Sequence, residues 1–277
     1  MDENMSAGAL ELTVGAGVIR TERPAFVMGI VNVTPDSFWE KSRAGAAAAL
    51  RMADEGADMI DIGGESTRPG FVPVDADEEI RRIVPVVREI RRHSRIPISV
   101  DTRKAAVMRA AADEGADILN DVSALEDDPE IAGVAAEAGL SVVLMHRFTG
   151  EEDARTGSPD ILGEVGAFLG RRAEFAVSRG IRPERIIVDP GIGFGKTFAE
   201  NTALIGNPAV LCGGKYPVMM ALSRKRCIGA MTGRPVEDRL AGTLAADMVS
   251  VLRGARIVRV HDVRETVDTL NVIRYII

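Results

Sequence analysis

Eight short apolar runs in this 277-residue chain each end in polar or charged residues, and the side chains at those ends fall into two chemical sets. The first is Asp101, Asn120, Asp189 and Lys225: two carboxylates, a carboxamide and an ammonium. Such a set suits the edge of a flat heterocycle of the amino-pyrimidinone type. Carboxylates accept from its NH/NH2 pair, while amide and ammonium meet its carbonyl and ring nitrogens. The second set is Asn32, Thr67, Arg68, Arg259 and His261, cationic and neutral donors that suit a phosphate or diphosphate. Within it Asn32 offers a hard oxygen ligand for Mg2+.

Each end has a plainer explanation when taken alone. An Asp just after a strand commonly caps the next helix, and Asp36 and Asp262 suit that role. The run Gly-Ile-Gly-Phe-Gly-Lys, 191–196, lacks the spacing of a nucleotide phosphate loop. Arg81, Arg82, Arg88, Arg91 and Arg92 read as a solvated helix face with an inert His93 beside it. Cys212 and Cys227 lack the spacing of a zinc site. Eight polar ends in succession point instead to one shared pocket.

The elements that must carry these ends are legible in the pattern. The apolar runs are 26–33, 59–62, 96–100, 118–119, 141–145, 185–188, 218–222 and 257–260. Their continuity fits strands buried on both faces, as in a parallel sheet. Segments of helical period separate them at 44–55, 77–92, 104–114, 129–138, 160–179, 199–212, 236–253 and 263–273. Gly56, Gly115, Gly139, Gly180 and Gly254 stand where helix C-caps are expected. Eight such units predict an α/β fold, a (β/α)8 TIM barrel over 26–273, with an open doubly wound sheet as the alternative. Residues 10–20 alternate about Gly15 and Gly17 and predict a β-hairpin beneath the barrel. No linker or low-complexity stretch interrupts the sequence, so a single domain is expected over 1–277.

Composition narrows the partners. A net charge of −7, with 34 Lys and Arg against 41 Asp and Glu, argues against nucleic acid while leaving room for a local anion pocket. Two cysteines are too few for a disulfide framework, so a reducing cytoplasm is expected. Neither a signal-peptide core nor an apolar run of the roughly 18 residues needed to span a membrane is found. Aromatics, at 4%, leave the core to aliphatic side chains.

Assembled in order, the segments GIVNVTPDSF, DIGGESTRPG, ISVDT, LNDV, LMH, DPGIGFGKT, SRK and RVHDV resemble the dihydropteroate synthase family, the folate-pathway enzymes targeted by sulfonamides. The resemblance spans Phe26 to about Val272. It implies condensation of 6-hydroxymethyl-7,8-dihydropterin diphosphate with p-aminobenzoate to give 7,8-dihydropteroate and diphosphate. By motif, Asp101, Asn120, Asp189 and Lys225 would hold the pterin, with Met145 and Phe194 packing near it. Arg259 and His261 would hold the diphosphate, joined by Thr67, Arg68 and, through Mg2+, Asn32. The aminobenzoate would lie by Thr67, Pro69, Lys225 and Arg226. Asp101, Lys225, Arg259 and His261 would carry the catalysis, and a homodimer is the implied assembly.

Two departures stand out. After PDSF the family usually continues Ser-Asp-Gly-Gly, whereas here Trp39-Glu40-Lys41-Ser42-Arg43 follows and the first loop is shorter. After LMH the family often has Met-Gln-Gly, whereas here the chain reads Arg147-Phe148-Thr149-Gly150. A shortened first loop keeps two other readings in view: a non-catalytic pterin-binding paralogue and a methyltetrahydrofolate-binding methyltransferase domain.

Overall fold

The structure, a computed structural model, describes residues 9–33, 38–65, 74–148 and 156–277. Eight parallel strands form the centre: β3 (Phe26–Asn32), β4 (Met59–Gly63), β5 (Ile98–Asp101), β6 (Ile118–Asp121), β7 (Ser141–Met145), β8 (Ile186–Asp189), β9 (Met219–Met220) and β10 (Ile257–Val260), preceded by the hairpin β1 (Leu10–Val14) and β2 (Gly17–Thr21). They pair in the order β8-β7-β6-β5-β4-β3-β10-β9. A parallel bridge between Val188 and Val218 joins the two ends, and the Val188 amide donates to the Pro217 carbonyl at 3.0 Å. The sheet is therefore a closed barrel, and the doubly wound alternative falls. Around it run α1 (Phe38–Asp54), α2 (Ala76–His93), α3 (Ala105–Asp113), α4 (Ile131–Glu137), α5 (Ile161–Ser178), α6 (Phe198–Gly206), α7 (Arg226–Thr232), α8 (Leu240–Leu252) and α9 (Val263–Ile276).

Strand residues alternate between the helices and the barrel axis. Val31, Ile60, Ile62, Ile98, Val100, Leu119, Val142, Leu144, Val188 and Leu222 pack outward with the helices in one apolar cluster. Phe26, Met28, Met59, Ile118, Val143, Ile187, Met219 and Ile257 form a second cluster at the strands' N-terminal end, with Leu12 and Val14 of the hairpin. The hairpin thus plugs the barrel bottom, as its alternation predicts. Ser141 Oγ fixes it there by accepting from the Gly15 amide (3.2 Å) and donating to the Thr13 carbonyl (3.0 Å).

Helix ends follow their sequence signals in most places. All five expected C-cap glycines have positive φ, between +65° at Gly139 and +104° at Gly254. Asp160 caps α5 through the Gly163 amide at 3.0 Å, and Thr197 with Glu200 forms a reciprocal capping box on α6.

Four boundaries differ from expectation. Pro208 ends the α6 helix and starts a 3-10 turn, so the helical period does not run to Cys212. The seven residues of α7 were too few to register as a period and form a separate helix ending at Gly233, φ +69°. Trp39 lies in the first turn of α1 rather than in a loop. Asp262 makes no cap bond to α9; its carboxylate is engaged by Arg224 instead. Of the α2 arginines, Arg81, Arg88 and Arg92 are exposed as expected, whereas Arg82 and Arg91 are largely buried. Arg88 pairs with Glu114, and Arg91 binds Asp117 and the carbonyls of Gly115 and Ile96.

Among the described residues no helix is long and apolar enough to cross a membrane. One buried group stands outside the pattern. Asp247 on α8 is fully buried, and neither carboxylate oxygen has a hydrogen-bond partner among the described residues. Burial pushes its carboxyl well above the usual range, which favours the protonated form in the folded chain. An acid whose folded pKa is raised favours the fold at low pH and loses that contribution as pH rises from about 4. Replacing Asp247 by Ala should therefore stabilise the protein by about 1–3 kcal/mol at pH 8, read by urea unfolding, and by less at pH 4.

Candidate active site

The inward positions of the strands continue upward from the bottom cluster by steps of two. They give Asn32 on β3, Asp61 on β4, Asp101 on β5, Asn120 on β6, Met145 on β7, Asp189 on β8 and Arg259 on β10, with Ser223 and His261 just beyond β9 and β10. The pairing register sets Asp101 beside Asn120 and Met145 beside Asp189. In barrels of this kind chemistry gathers at this C-terminal face.

Deepest lies a buried ion pair. Arg259 Nε donates to Asp61 Oδ2 at 2.6 Å, and its Nη2 reaches Asp61 Oδ2 at 2.5 Å and Asp101 Oδ2 at 3.0 Å. Asp61 is fully buried and also accepts from Ser99 Oγ (2.6 Å) and Asn120 Nδ2 (3.2 Å). Burial opposes the Arg259 charge, but Asp61 and Asp101 outweigh it and hold the guanidinium protonated. Asp101 is pushed up to about 7, chiefly by burial, with Asp61 adding repulsion and Arg259 only partly offsetting it. A carboxyl so perturbed by burial and charged neighbours, at the C-terminal end of a barrel strand, is a candidate for function.

Opposite stand Asp189 and Lys225. Asp189 Oδ1 accepts from the Gly191 amide at 2.7 Å; burial raises its carboxyl and Lys225 opposes the rise. Lys225 donates to the Ile192 carbonyl and lies 4.9 Å from the centre of the Phe194 ring. Burial lowers its ammonium, against the pull of Asp189. Arg226, the next residue, is exposed at the start of α7. The loop bearing Ile192 and Phe194 is held from below by Lys196, which is fully buried and donates to the carbonyls of His146 (3.0 Å), Gly191 (2.9 Å) and Phe194 (3.4 Å). That side chain is consumed by its own backbone, which removes the phosphate-loop reading of 191–196.

Across β9 and β10, Ser223 Oγ lies 2.9 Å from His261 Nδ1 and accepts from the His261 amide at 3.2 Å. Asn32 ends β3 with an exposed side chain, its Oδ1 near Gly63. Thr67, Arg68 and Pro69 lie outside the described residues, as does Asp36. Asp61, Ser223 and Lys196 lie within the strand-end motifs, but the motifs alone gave them no place in the site. The step of two through Met59, Asp61 and Gly63 is the signal that reaches Asp61.

No group of three or more His, Cys, Asp or Glu able to hold a metal is found among the described residues. What is present at Asn32 is one neutral oxygen without a hydrogen-bond partner among the described residues. That fits Mg2+, which keeps several waters and takes charge from substrate phosphates rather than from a protein cage.

The Asp61–Arg259 pair should be the costliest to break. Asp61→Asn should destabilise the chain by about 3–5 kcal/mol in urea unfolding, because it removes the carboxylate that Arg259 meets through both Nε and Nη2. The Asp61→Asn/Arg259→Met double variant should recover part of that loss. Carboxyl 13C titration of Asp101 should fall below 7 in the single variant, since a repulsive neighbour is gone and Arg259 turns to it alone.

Residues 28–261 match the family model described as pterin binding enzyme. The dihydropteroate synthase of Bacillus subtilis is 43% identical over 244 residues, which cover 86% of this chain and 84% of that one. The solved dihydropteroate synthase of Xanthomonas albilineans with 4-aminobenzoic acid superposes with a TM-score of 0.89 at 44% identity, covering 97% of this chain and 98% of that one. The same organism's enzyme in complex with 7,8-dihydropteroate gives 0.86 at 41% identity, covering 96% and 98%. Sequence and fold agree that the chain belongs to the pterin-binding enzymes, in the dihydropteroate synthase family.

Proposed function

We propose that this chain condenses 6-hydroxymethyl-7,8-dihydropterin diphosphate with p-aminobenzoate, giving 7,8-dihydropteroate and diphosphate. The observation that carries the reading is the convergence of Asp101, Asn120, Asp189 and the Lys225 ammonium with the Asp61–Arg259 pair at one barrel mouth. The carboxylates accept from the pterin's guanidine-like edge, Asn120 and Lys225 meet its carbonyl and ring nitrogens, and Met145 and Phe194 pack against it. Arg259 has Nε and Nη2 engaged by carboxylates and leaves Nη1 for a diphosphate oxygen. His261 donates to the same group, and the family's motifs would add Thr67 and Arg68. By the family's motifs, Thr67, Pro69, Lys225 and Arg226 would hold the aminobenzoate.

The reaction breaks the bond between the pterin methylene carbon and the diphosphate oxygen and forms one from that carbon to the arylamine nitrogen. The amine is neutral at pH 7 and gives up a proton to water or diphosphate after attack. Arg259, His261 and Arg68 stabilise charge gathering on the leaving group, while Asp101 and Asp189 stabilise the electron-poor methylene and ring. Asn32 would hold Mg2+, which would supply further neutralisation of that charge. Orientation and fixed charge account for the catalysis, and no protein nucleophile is required. Cys212 and Cys227 form no disulfide, which suits a reducing cytoplasm.

Met231 on α7, Val249 and Leu252 on α8 and Val272 on α9 are exposed apolar side chains, which suits a homodimer seated on these helices. Leu252→Arg should convert a dimer to a monomer in analytical ultracentrifugation; an unchanged mass would place the interface elsewhere.

Purified chain given both substrates and Mg2+ should release diphosphate and form dihydropteroate. Folded protein that binds the pterin diphosphate without turnover would instead be a non-catalytic paralogue. Lys225→Ala should weaken pterin binding by at least about 30-fold, the scale of leaving a buried charge unpaired. Because the ligand favours ionised Asp101, pterin affinity in the wild type should fall as pH drops below about 7, and Asp101→Asn should flatten that dependence.

A further inference from the structure

We infer that Ser223 is a positioning residue that fixes the tautomer of His261, placing the ring proton on Nε2 and presenting a neutral donor to the departing diphosphate. The use of that donor rests on the function proposed above; the tautomer itself does not.

A hydroxyl has one proton to give and two lone pairs to fill. Ser223 Oγ already accepts from the His261 backbone amide at 3.2 Å. Its other contact is His261 Nδ1, at 2.9 Å. If Nδ1 carried the proton, Oγ would accept twice and its own proton would need a third partner. At 8% exposure the residue is buried, and no further partner of that hydroxyl is found among the described residues. With Nδ1 unprotonated the accounting closes: the amide donates to Oγ, and Oγ donates to Nδ1. The remaining ring proton then sits on Nε2.

Ser223 cannot easily turn to another choice, because the chain around it is pinned. Its neighbour Arg224, at φ +57°, is bound bidentately to Asp262, which follows His261, at 3.0 and 2.6 Å. The Arg224 amide donates to Thr243 Oγ1 at 3.0 Å, and its carbonyl accepts from Arg239 at 3.0 Å. Two adjacent pairs, Ser223 with His261 and Arg224 with Asp262, thus zip the segment after β9 to the segment after β10. The second pair holds the hydroxyl in register with the ring. A histidine fixed in this way meets phosphate oxygens with a proton already in place and leaves the positive charge to Arg259 and Lys225.

The full chain labelled with 15N-histidine tests this directly, since it holds three histidines and His261→Gln identifies one of them. Long-range 1H–15N spectra of the ligand-free wild type should show the Nε2–H pattern for His261. Ser223→Ala should bring in the Nδ1–H form and weaken binding of inorganic diphosphate with Mg2+ about tenfold by calorimetry, the scale of one hydrogen bond to a charged group. Ser223→Thr keeps the hydroxyl and should restore both readouts. An Nδ1–H pattern in the wild type, or an unchanged pattern in Ser223→Ala, would overturn the inference. Because the spectrum needs no substrate, failure of turnover would reject the proposed function while leaving the tautomer to be judged alone.

Discussion

A strand in a closed barrel can send a side chain in only two directions, toward the helices or toward the axis, and that constraint organises this molecule. One residue set on each strand is aliphatic and grips the helices; the alternate set is apolar at the bottom and turns polar at the top. The hairpin, the bottom layer, the Asp61–Arg259 pair and the ring of site residues are successive floors of that second set. A one-residue slip of any strand would exchange a carboxylate for a valine or an isoleucine across the sheet.

The upper floors concentrate charge where the medium screens it poorly. Asp61, Asp101 and Asp189 outnumber Arg259 and Lys225, and burial makes the imbalance costly. The chain answers by letting one carboxyl, Asp101, hold its proton up to about 7. A ligand edge rich in N–H groups supplies the missing positive partners, so an empty site disfavours its charges and a filled one satisfies them. The same logic gives a chain of net charge −7 a site for an anionic substrate: its cations are few but are held in place.

Much of this was legible in the sequence because strand ends in such a barrel are both structural punctuation and chemistry. Aspartate after an apolar run marked β5 and β8, and glycine after a helical run marked the C-caps. What stayed hidden has physical reasons. Asp61 sits inside its run, where a charged residue breaks no visible pattern unless the alternation is followed. Ser223 has an ordinary residue type, and its role depends on a partner 38 positions away in sequence. The helix α7 is too short for a period to declare itself, and Asp262 had a local explanation as a cap that a distant arginine displaced.

Lys196 has a consequence for how the site responds to its surroundings. Its ammonium, enclosed by three carbonyls, acts as a counterion built into the chain, one that cannot be chelated, exchanged or diluted. The exposed pairs along α2 weaken as salt screens them, and a bound divalent ion comes and goes with its concentration. The carbonyl cage under Phe194 answers to neither, so the floor of the pocket keeps its shape in media that would strip an ion-dependent loop.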